Sequence, residues 1–552
     1  MLEKEMRAYA LRNAIEHGNA VVGKVLPKLF NHGLDKKDIG KIMPQLNEVI
    51  KEVNFLSEEE RRKEFEKFKE FVKERDVKEK GLPELPNVSD KMVFRLAPYP
   101  SGALHIGNAK TYLLNAIYAE KYGGKIILVM DDTIGSEEKQ TAKESYKLIE
   151  EGFKWLGVKY EKPVYYKSDR LAVYYRYAEE LVRKGKAYVC GCSQSDFKKF
   201  KDSCDDCPHR KQSIEENLKL WKEMFKAKEG STALRIKTDM KHPNPAFRDR
   251  VLFRISDRVH PRVGKKYRVW PTLEMSWAVD DHLLGITHIL RGNDLVMETE
   301  MEKFIWDIFK WEHPTVMHAG LVRIEGLGAK ISKSKAQREV KSGEFSGWDD
   351  PRTWSLQSLK RRGFRSEAVR EFIEGIGFTR QDVNVPIETL YAINRRMIDE
   401  EVNRYFFVGN PKKVRIVGAS GRKVVEIPLH PSHFEIGFRK LNAGSEFYVS
   451  SNDKLEKGKN YRLMHLFNFR DEKFVSSEVD AKLNAKMIHW LSVDDKNVKV
   501  RVLMEDGTEV FGLGEPDLKK IKKNQVVQFE RFGFVILDGK SKDEMVFWFL
   551  HK

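Results

Sequence analysis

The chain has 552 residues, 41% apolar and 33% charged, which is room for roughly three to five domains with their own cores and too apolar for a disordered protein. Lys and Arg number 100 against 83 Asp and Glu, a formal charge of +17. A surplus of that size points to a polyanionic partner, nucleic acid first, with a lysine-rich solubilising surface as the plain alternative.

No apolar run nears the ~20 residues that span a bilayer. The N-terminus MLEKEMRAYALRNAIEHGN is charged throughout and lacks the apolar core of a secretory signal. A cytoplasmic protein that does not enter a membrane is therefore expected. Four cysteines are too few for a disulfide scaffold.

Residues 1–80 read as helix. Leu11, Ile15, Val21, Val22 and Val25 mark one apolar face, and Phe65, Phe68, Phe71 and Val72 continue another at steps of three to four. GLPELPN then reads as a linker. MVFRLAPYP begins as a strand and ends in proline punctuation, residues 105–122 carry a helical period, and GGKIILVMDDT is a turn followed by a buried-type strand. Strands alternating with helices predict a parallel, doubly wound sheet. From about 186 to 275 the pattern is irregular and suits an insertion; DHLLGITHILRG resumes the strand signal, and 345–405 is largely helical. From about 406 onward short runs such as KVRIVG, KVVEIPL, KVRVLM and MVFWFLH predict one or two β-barrels.

Two segments carry phosphate chemistry. In RLAPYPSGALHIGN a strand ends, a Pro/Gly loop turns, and a helix begins at His105, Ile106, Gly107 and Asn108. Helix N-termini attract phosphate through free N–H groups and the dipole. The second segment, Lys330-Ile331-Ser332-Lys333-Ser334 behind a glycine-led loop, is a cationic phosphate clamp. Each alone is weak; about 225 residues apart with an α/β pattern between them, they are far more specific.

The cysteines form a third feature. Cys190, Cys192, Cys204 and Cys207 fall within 18 residues, in two close pairs, a spacing that wraps one tetrahedral Zn²⁺. Two disulfides are the alternative, disfavoured in a cytosolic protein. Four thiolates would close the metal and make it structural. His209 could replace one of them, although a surface histidine is the plainer expectation.

These segments resemble the HIGH and KMSKS signatures of the class I aminoacyl-tRNA synthetases. Further stretches are similar to the glutamyl/glutaminyl subgroup of that family: YGGKIILVMDDT, WLGV, SDR, YAEEL, GKAYV, CPHR, RIKTD, GWDDPR, LKRRGF, and toward the end NRYFF, IPLHP and VQFERFGFV. The resemblance runs the length of the chain and is nearest the archaeal glutamate branch. It implies an N-terminal helical appendage and linker over 1–90, and a Rossmann-like class I catalytic domain over 91–189 and 276–344. It further implies an acceptor-end insertion with the zinc site over 190–275, a helical stem-contact subdomain over 345–405 and anticodon-binding β-barrels over 406–552.

The same resemblance implies ATP with Mg²⁺, L-glutamate and tRNA(Glu) as substrates, tRNA(Gln) as a further tRNA because archaeal relatives often charge both, and a monomer. His105 and Asn108 would handle ATP phosphates, Gly107 would support the adenosine, and Lys330, Ser332 and Lys333 would close over the triphosphate. In the amino-acid pocket Arg95 would pair with a substrate carboxylate, Asp131 would face the α-ammonium, and Arg291 would read the side-chain carboxylate. The chain departs from the family pattern at Tyr99, Val129, Ile134, Leu273 and Trp277, which reshape that pocket. A tRNA-binding paralogue without catalysis, or a glutaminyl-type ligase of changed specificity, are the competing readings. The first is opposed by the intact signatures and the second by the two arginines. A tRNA-modifying glutamyl transferase would lack the anticodon region, and no GxxxxGK[ST] loop supports a generic ATPase.

Overall fold

The computed structural model describes residues 2–35, 38–72, 82–134, 140–326, 333–419 and 423–552. Its chain divides into two compact units, Met1–Lys80 and Gly81–Lys552.

The first unit is helical, as its periodicity predicts. Helices Glu3–His17, Val22–Leu29, Ile39–Phe55 and Glu58–Phe68 surround a core of Met6, Leu11, Val25, Leu46 and Val53, with Phe65, Phe68 and Val72 packed on its edge. Ser57 starts the last long helix with a reciprocal cap, its side chain accepting from the Glu60 N–H while Glu60 accepts from the Ser57 N–H. Val21, expected on the apolar face, is half exposed. It lies just ahead of the second helix, outside the helical period.

The second unit is built on a parallel sheet. Its strands are β1 (Val93–Leu96), β2 (Lys125–Met130) and β3 (Glu161–Tyr166). An insertion follows with β4 (Ala187–Cys190), β5 (Ala233–Ile236), β6 (Val251–Ile255) and β7 (Val269–Pro271), and then β8 (His288–Gly292) and β9 (Thr315–Ala319). The main sheet runs β3-β2-β1-β8-β9, all parallel, and the insertion makes its own antiparallel sheet β4-β5-β6-β7. Phe94, Leu96, Leu128 and Met130 fill the core beneath Leu113 and Leu114 of helix Ile106–Tyr122. The chain departs from β1 in one direction to β2 and β3 and in the other to β8 and β9, so the strand order reverses between β1 and β8. In such sheets ligands bind outside the carboxyl ends of the strands at that point.

The region 345–405 carries helices Leu356–Arg362, Ser366–Ile376 and Ile387–Ile398, but also a strand, Val383–Pro386, paired parallel to Val322–Glu325. Fully buried Arg362 fastens this region to the last strand, donating to the carbonyls of Phe549 at 3.1 Å and Leu550 at 2.7 Å.

Beyond 403 the chain is sheet-rich, as expected, but the ladders do not close into barrels. A seven-stranded sheet has as its edges Arg404–Tyr405 and Phe407–Gly409, two pieces of one segment broken at Phe406, and no ladder joins them. Smaller sheets of three, two and four strands lie beside it. Fully buried Arg439 ties these layers together through Glu515, Glu530 and the carbonyls of Arg404 and Pro428. No helix of the described residues is long and apolar enough to cross a membrane.

Candidate active site and metal centre

The loop after β1 delivers the chain to His105, which caps helix Ile106–Tyr122. Its Nδ1 accepts from the N–H groups of Gly107 at 3.1 Å and Asn108 at 3.3 Å, and Asn108 Oδ1 accepts from the His105 N–H at 3.0 Å. Two donors pointing at Nδ1 fix the neutral ring with its hydrogen on Nε2. The imidazole is thereby both a cap and a donor of known sense. A Cβ on Gly107 would lie 3.1 Å from this ring, so the small residue leaves room for the histidine itself.

Arg95, Asp131 and Arg291 come from three adjacent strands, at or just beyond the carboxyl ends of β1, β2 and β8. Each is buried and each already has an internal counter-charge. Arg95 donates from Nε to Asp281 Oδ1 at 2.5 Å and from Nη2 to Oδ2 at 3.3 Å. Arg291 donates to Glu302 at 3.0 and 2.5 Å. Asp131 stands 2.8 Å from the ammonium of Lys167, whose burial is complete and whose Nζ also donates to Ser276 Oγ at 2.8 Å. Burial pushes the Lys167 pKa down, and Asp131 and Asp280 oppose it. Trp277 lies among these charges, with the Arg95 guanidinium 3.6 Å and the Lys167 ammonium 3.4 Å from its ring. A departure expected to reshape the pocket therefore braces two of its cations.

The other departures are placed as follows. Leu273 opens helix Leu273–Leu283, half-buried. Tyr99 lies half-buried in the loop after β1, its carbonyl accepting from Ser101 N–H at 3.0 Å. Val129 is buried within β2, and the Ile134 carbonyl accepts from Arg254. Lys330 and Ser332 lie outside the described residues; Lys333 opens helix Lys333–Ser342.

The cysteine site differs from the four-thiol expectation. Cys190, Cys192, Cys207 and His209 bring their ligand atoms within 4.8 Å of one another, and Cys204 is not among them. Helix Gln194–Ser203 ends at Cys204 in a left-handed turn, φ 62°, with its N–H bonded back to Lys201 and Phe200 carbonyls, so this residue serves as the helix terminator. His209 Nδ1 lies 3.4 Å from Cys192 Sγ and 3.9 Å from Cys190 Sγ, and the sulfurs of Cys190 and Cys207 are 3.9 Å apart. A tetrahedral zinc with Zn–S of about 2.3 Å and Zn–N of about 2.0 Å separates its ligands by roughly 3.5–3.8 Å, so the donor set fits that ion. Tyr188, donating to Asp249 at 2.8 Å, has its hydroxyl 3.5 Å from Cys207 Sγ.

Sequence reasoning passed over Lys167, Asp281 and Glu302, and named His209 only as a replacement ligand behind the four thiols. The signal for His209 was present: Cys207 and His209 repeat the two-residue spacing of Cys190 and Cys192. For Lys167 there was none, since one lysine among so many carries no mark of burial.

A parallel α/β sheet whose strand order reverses between β1 and β8, with a histidine-capped helix after its first strand and paired charges at its central strand ends, is of the doubly wound type that takes nucleotides at such a point. Residues 91–400 match the family described as tRNA synthetases class I (E and Q), catalytic domain, and residues 402–488 and 487–538 match two anticodon-binding domains of the same synthetases. Glutamate–tRNA ligases of Methanocaldococcus jannaschii and Methanobrevibacter smithii are 43% and 40% identical to it, each over all of both chains. That of Pyrococcus horikoshii is 42% identical, again over all of both chains. The chain belongs to the class I tRNA synthetases of the glutamate and glutamine type.

Proposed function

We propose that this chain is a glutamate–tRNA ligase. The observation that carries the reading is the meeting of Arg95, Asp131 and Arg291 at adjacent strand ends, beside the His105-capped helix, in a chain alike over its whole length to glutamate–tRNA ligases.

In the first step a glutamate α-carboxylate oxygen attacks the α-phosphorus of ATP; the new P–O bond forms as the bond to the bridging oxygen breaks and pyrophosphate leaves. In the second, a hydroxyl of the terminal tRNA ribose attacks the acyl carbon, loses its proton, and AMP departs. Negative charge builds on phosphate oxygens in the first step, so preorganised donors aimed there lower the barrier most. The Nε2–H of His105, with the positive end of its helix dipole behind it, is suited to that work, with Lys330, Ser332 and Lys333 from the other signature. Mg²⁺ would accompany ATP and neutralise its phosphates. Asp131 would take the α-ammonium, Arg95 the α-carboxylate and Arg291 the side-chain carboxylate. Cys190, Cys192, Cys207 and His209 would hold a structural Zn²⁺ that leaves no open position. The sheets beyond 403 would read the anticodon of tRNA(Glu), with tRNA(Gln) as a second tRNA to test.

An aminoacylation panel of twenty amino acids, run with separately purified tRNA(Glu) and tRNA(Gln), tests this. Glutamate should be attached to tRNA(Glu). Charging with another amino acid alone would show that the pocket around Trp277 has been repurposed.

A further inference from the structure

Gly102 lies three residues before His105, and its lack of a side chain is used by one neighbour. A Cβ built there would stand 2.1 Å from Cη2 of Trp348 and 2.4 Å from its Cζ2. The indole is almost fully buried, in one apolar cluster with Ala103 and Ala336, against which Val340 and Leu148 pack. Ala336 and Val340 belong to helix Lys333–Ser342, whose first residue is the last lysine of the second signature. The cluster that holds this indole therefore joins the loop that feeds His105 to the helix that begins at Lys333.

The seat of this indole is fixed from below. The Trp348 carbonyl accepts from Thr353 Oγ1 at 2.9 Å and from Ser355 Oγ. The same segment then runs beside the histidine loop. Leu356 N–H donates to the Leu104 carbonyl at 2.8 Å, Ile106 N–H donates to the Trp354 carbonyl at 3.3 Å, and Ser355 bridges to His105. Phe345 N–H, at the other end of the segment, donates to the Glu339 carbonyl of the helix at 3.0 Å. Residues 345–356 thus form a strap from the helix of one signature to the cap of the other, and Trp348 is the place where the strap, the loop and the helix meet.

We propose that Trp348 is a positioning residue for adenylate formation. Its indole, wedged between Gly102 and helix Lys333–Ser342, holds the start of that helix in register with His105. The proposal rests on the reading that His105 and Lys333 act on the phosphates of ATP. The wedge itself touches no substrate. Its effect is geometric: phosphate-handling groups supplied by two distant segments work together only if their separation is held, and a shift near 1 Å in such a constellation costs about 10²-fold in rate. A glycine at 102 is what allows the ring to approach this closely.

The test is tRNA-dependent ATP–pyrophosphate exchange with the full chain and the variants Trp348→Ala, Trp348→Phe, Gly102→Ala, Lys333→Ala and Lys333→Ala/Trp348→Ala. Trp348→Ala and Gly102→Ala should lower kcat about 10- to 100-fold with the KM for glutamate within about threefold, the pattern of an interaction realised in the transition state. Trp348→Phe, which keeps a ring over Gly102, should regain most of the loss. The double variant should be within about twofold of Lys333→Ala alone, because residues acting through one unit are not additive. Should Trp348→Ala fail to fold, Gly102→Ala disturbs the same contact from the opposite side. If Lys333→Ala is impaired while Trp348→Ala and Gly102→Ala match the wild type, the wedge is overturned and the reading of the lysine stands. Losses that multiply in the double variant would place the action of Trp348 elsewhere. An unimpaired Lys333→Ala would remove the phosphate reading, and the wedge with it.

Discussion

Arg291 turns both terminal nitrogens of its guanidinium toward the carboxylate of Glu302, at 3.0 and 2.5 Å, with both side chains buried. Its Nε has no protein partner among the described residues. A guanidinium carries five N–H donors, so Glu302 holds the fork in place while Nε and the outer hydrogens can still meet a second carboxylate.

The first prediction follows from that arrangement. Glutamate and glutamine are nearly isosteric, so charge must separate them. An amide offers its NH₂ to a donor-only fork, a mismatch worth roughly 2–4 kcal/mol, or about 30- to 1,000-fold. Arg291→Cys should cut kcat/KM for glutamate on that scale and harm glutamine much less. It also strands Glu302, which should cost about 3–5 kcal/mol of stability. Arg291→Cys/Glu302→Gln should recover the unfolding midpoint without recovering glutamate preference. Equal losses with both amino acids would mean that Arg291 does not read the side chain.

His105 caps its helix, and one substitution can separate that cap from the phosphate-handling role proposed for its ring. Asn is as good an N-cap as any residue, so His105→Asn should keep the helix start within about 1 kcal/mol. It removes the Nε2–H donor, and adenylate formation should fall by about 10²-fold. Exchange kinetics beside a melting curve check this. A variant that retains full exchange activity would show that the imidazole is only a cap.

The candidate donor cluster divides the cysteines unequally. The wild type should carry about one zinc per chain; Cys207→Ser should lose it, whereas Cys204→Ser should keep it, because Cys204 ends a helix outside the donor cluster. Metal analysis of reduced protein and competition with a chelator distinguish the two. Equal zinc loss from both would restore the four-thiol arrangement.

The fold was legible where local pattern and global role agree. The alternation around 93–130 pointed to a parallel sheet, and the Pro/Gly loop before His105 to a helix start, so His105 could be placed from its neighbours; Arg95 and Asp131 stood out only through the family resemblance. Closed barrels could not be read in the same way. Whether a sheet closes depends on which distant strands pair, and no local period records that. Burial of charge is likewise invisible in a sequence. Lys167, Asp281 and Glu302 look like ordinary polar residues until the fold removes their water and sets each against opposite charge.

The final prediction concerns acid. His489 and His551 are both buried, and each has its pKa pushed down from 6.5 to about 4, chiefly by loss of water. At His551 the hydrogen bond from Asn394 opposes protonation as well, against the one to the Lys552 carbonyl, which favours it. His551 Nδ1 faces the Lys552 carbonyl at 3.0 Å and so donates, leaving Nε2 to accept from Asn394 Nδ2 at 2.8 Å. The Asn394 amide is oriented by its oxygen, which accepts from Arg365 N–H at 2.9 Å. His489 Nδ1 is 3.2 Å from Arg531 Nη1, a cation that disfavours a second one. For each ring the native state refuses a proton that the unfolded chain accepts below its own pKa of about 6.5. The stability these groups contribute is therefore whole above pH 6.5 and is lost as pH falls toward 4. With one proton bound by each unfolded ring and none by the native, the combined slope reaches about 2.7 kcal/mol per pH unit. Urea unfolding followed by tryptophan fluorescence at pH 8, 6 and 5 should show the midpoint steady and then falling. His551→Gln, which cannot titrate, should flatten that fall by about half. A wild-type midpoint unchanged between pH 7 and 5 would mean that neither histidine is held neutral by its surroundings.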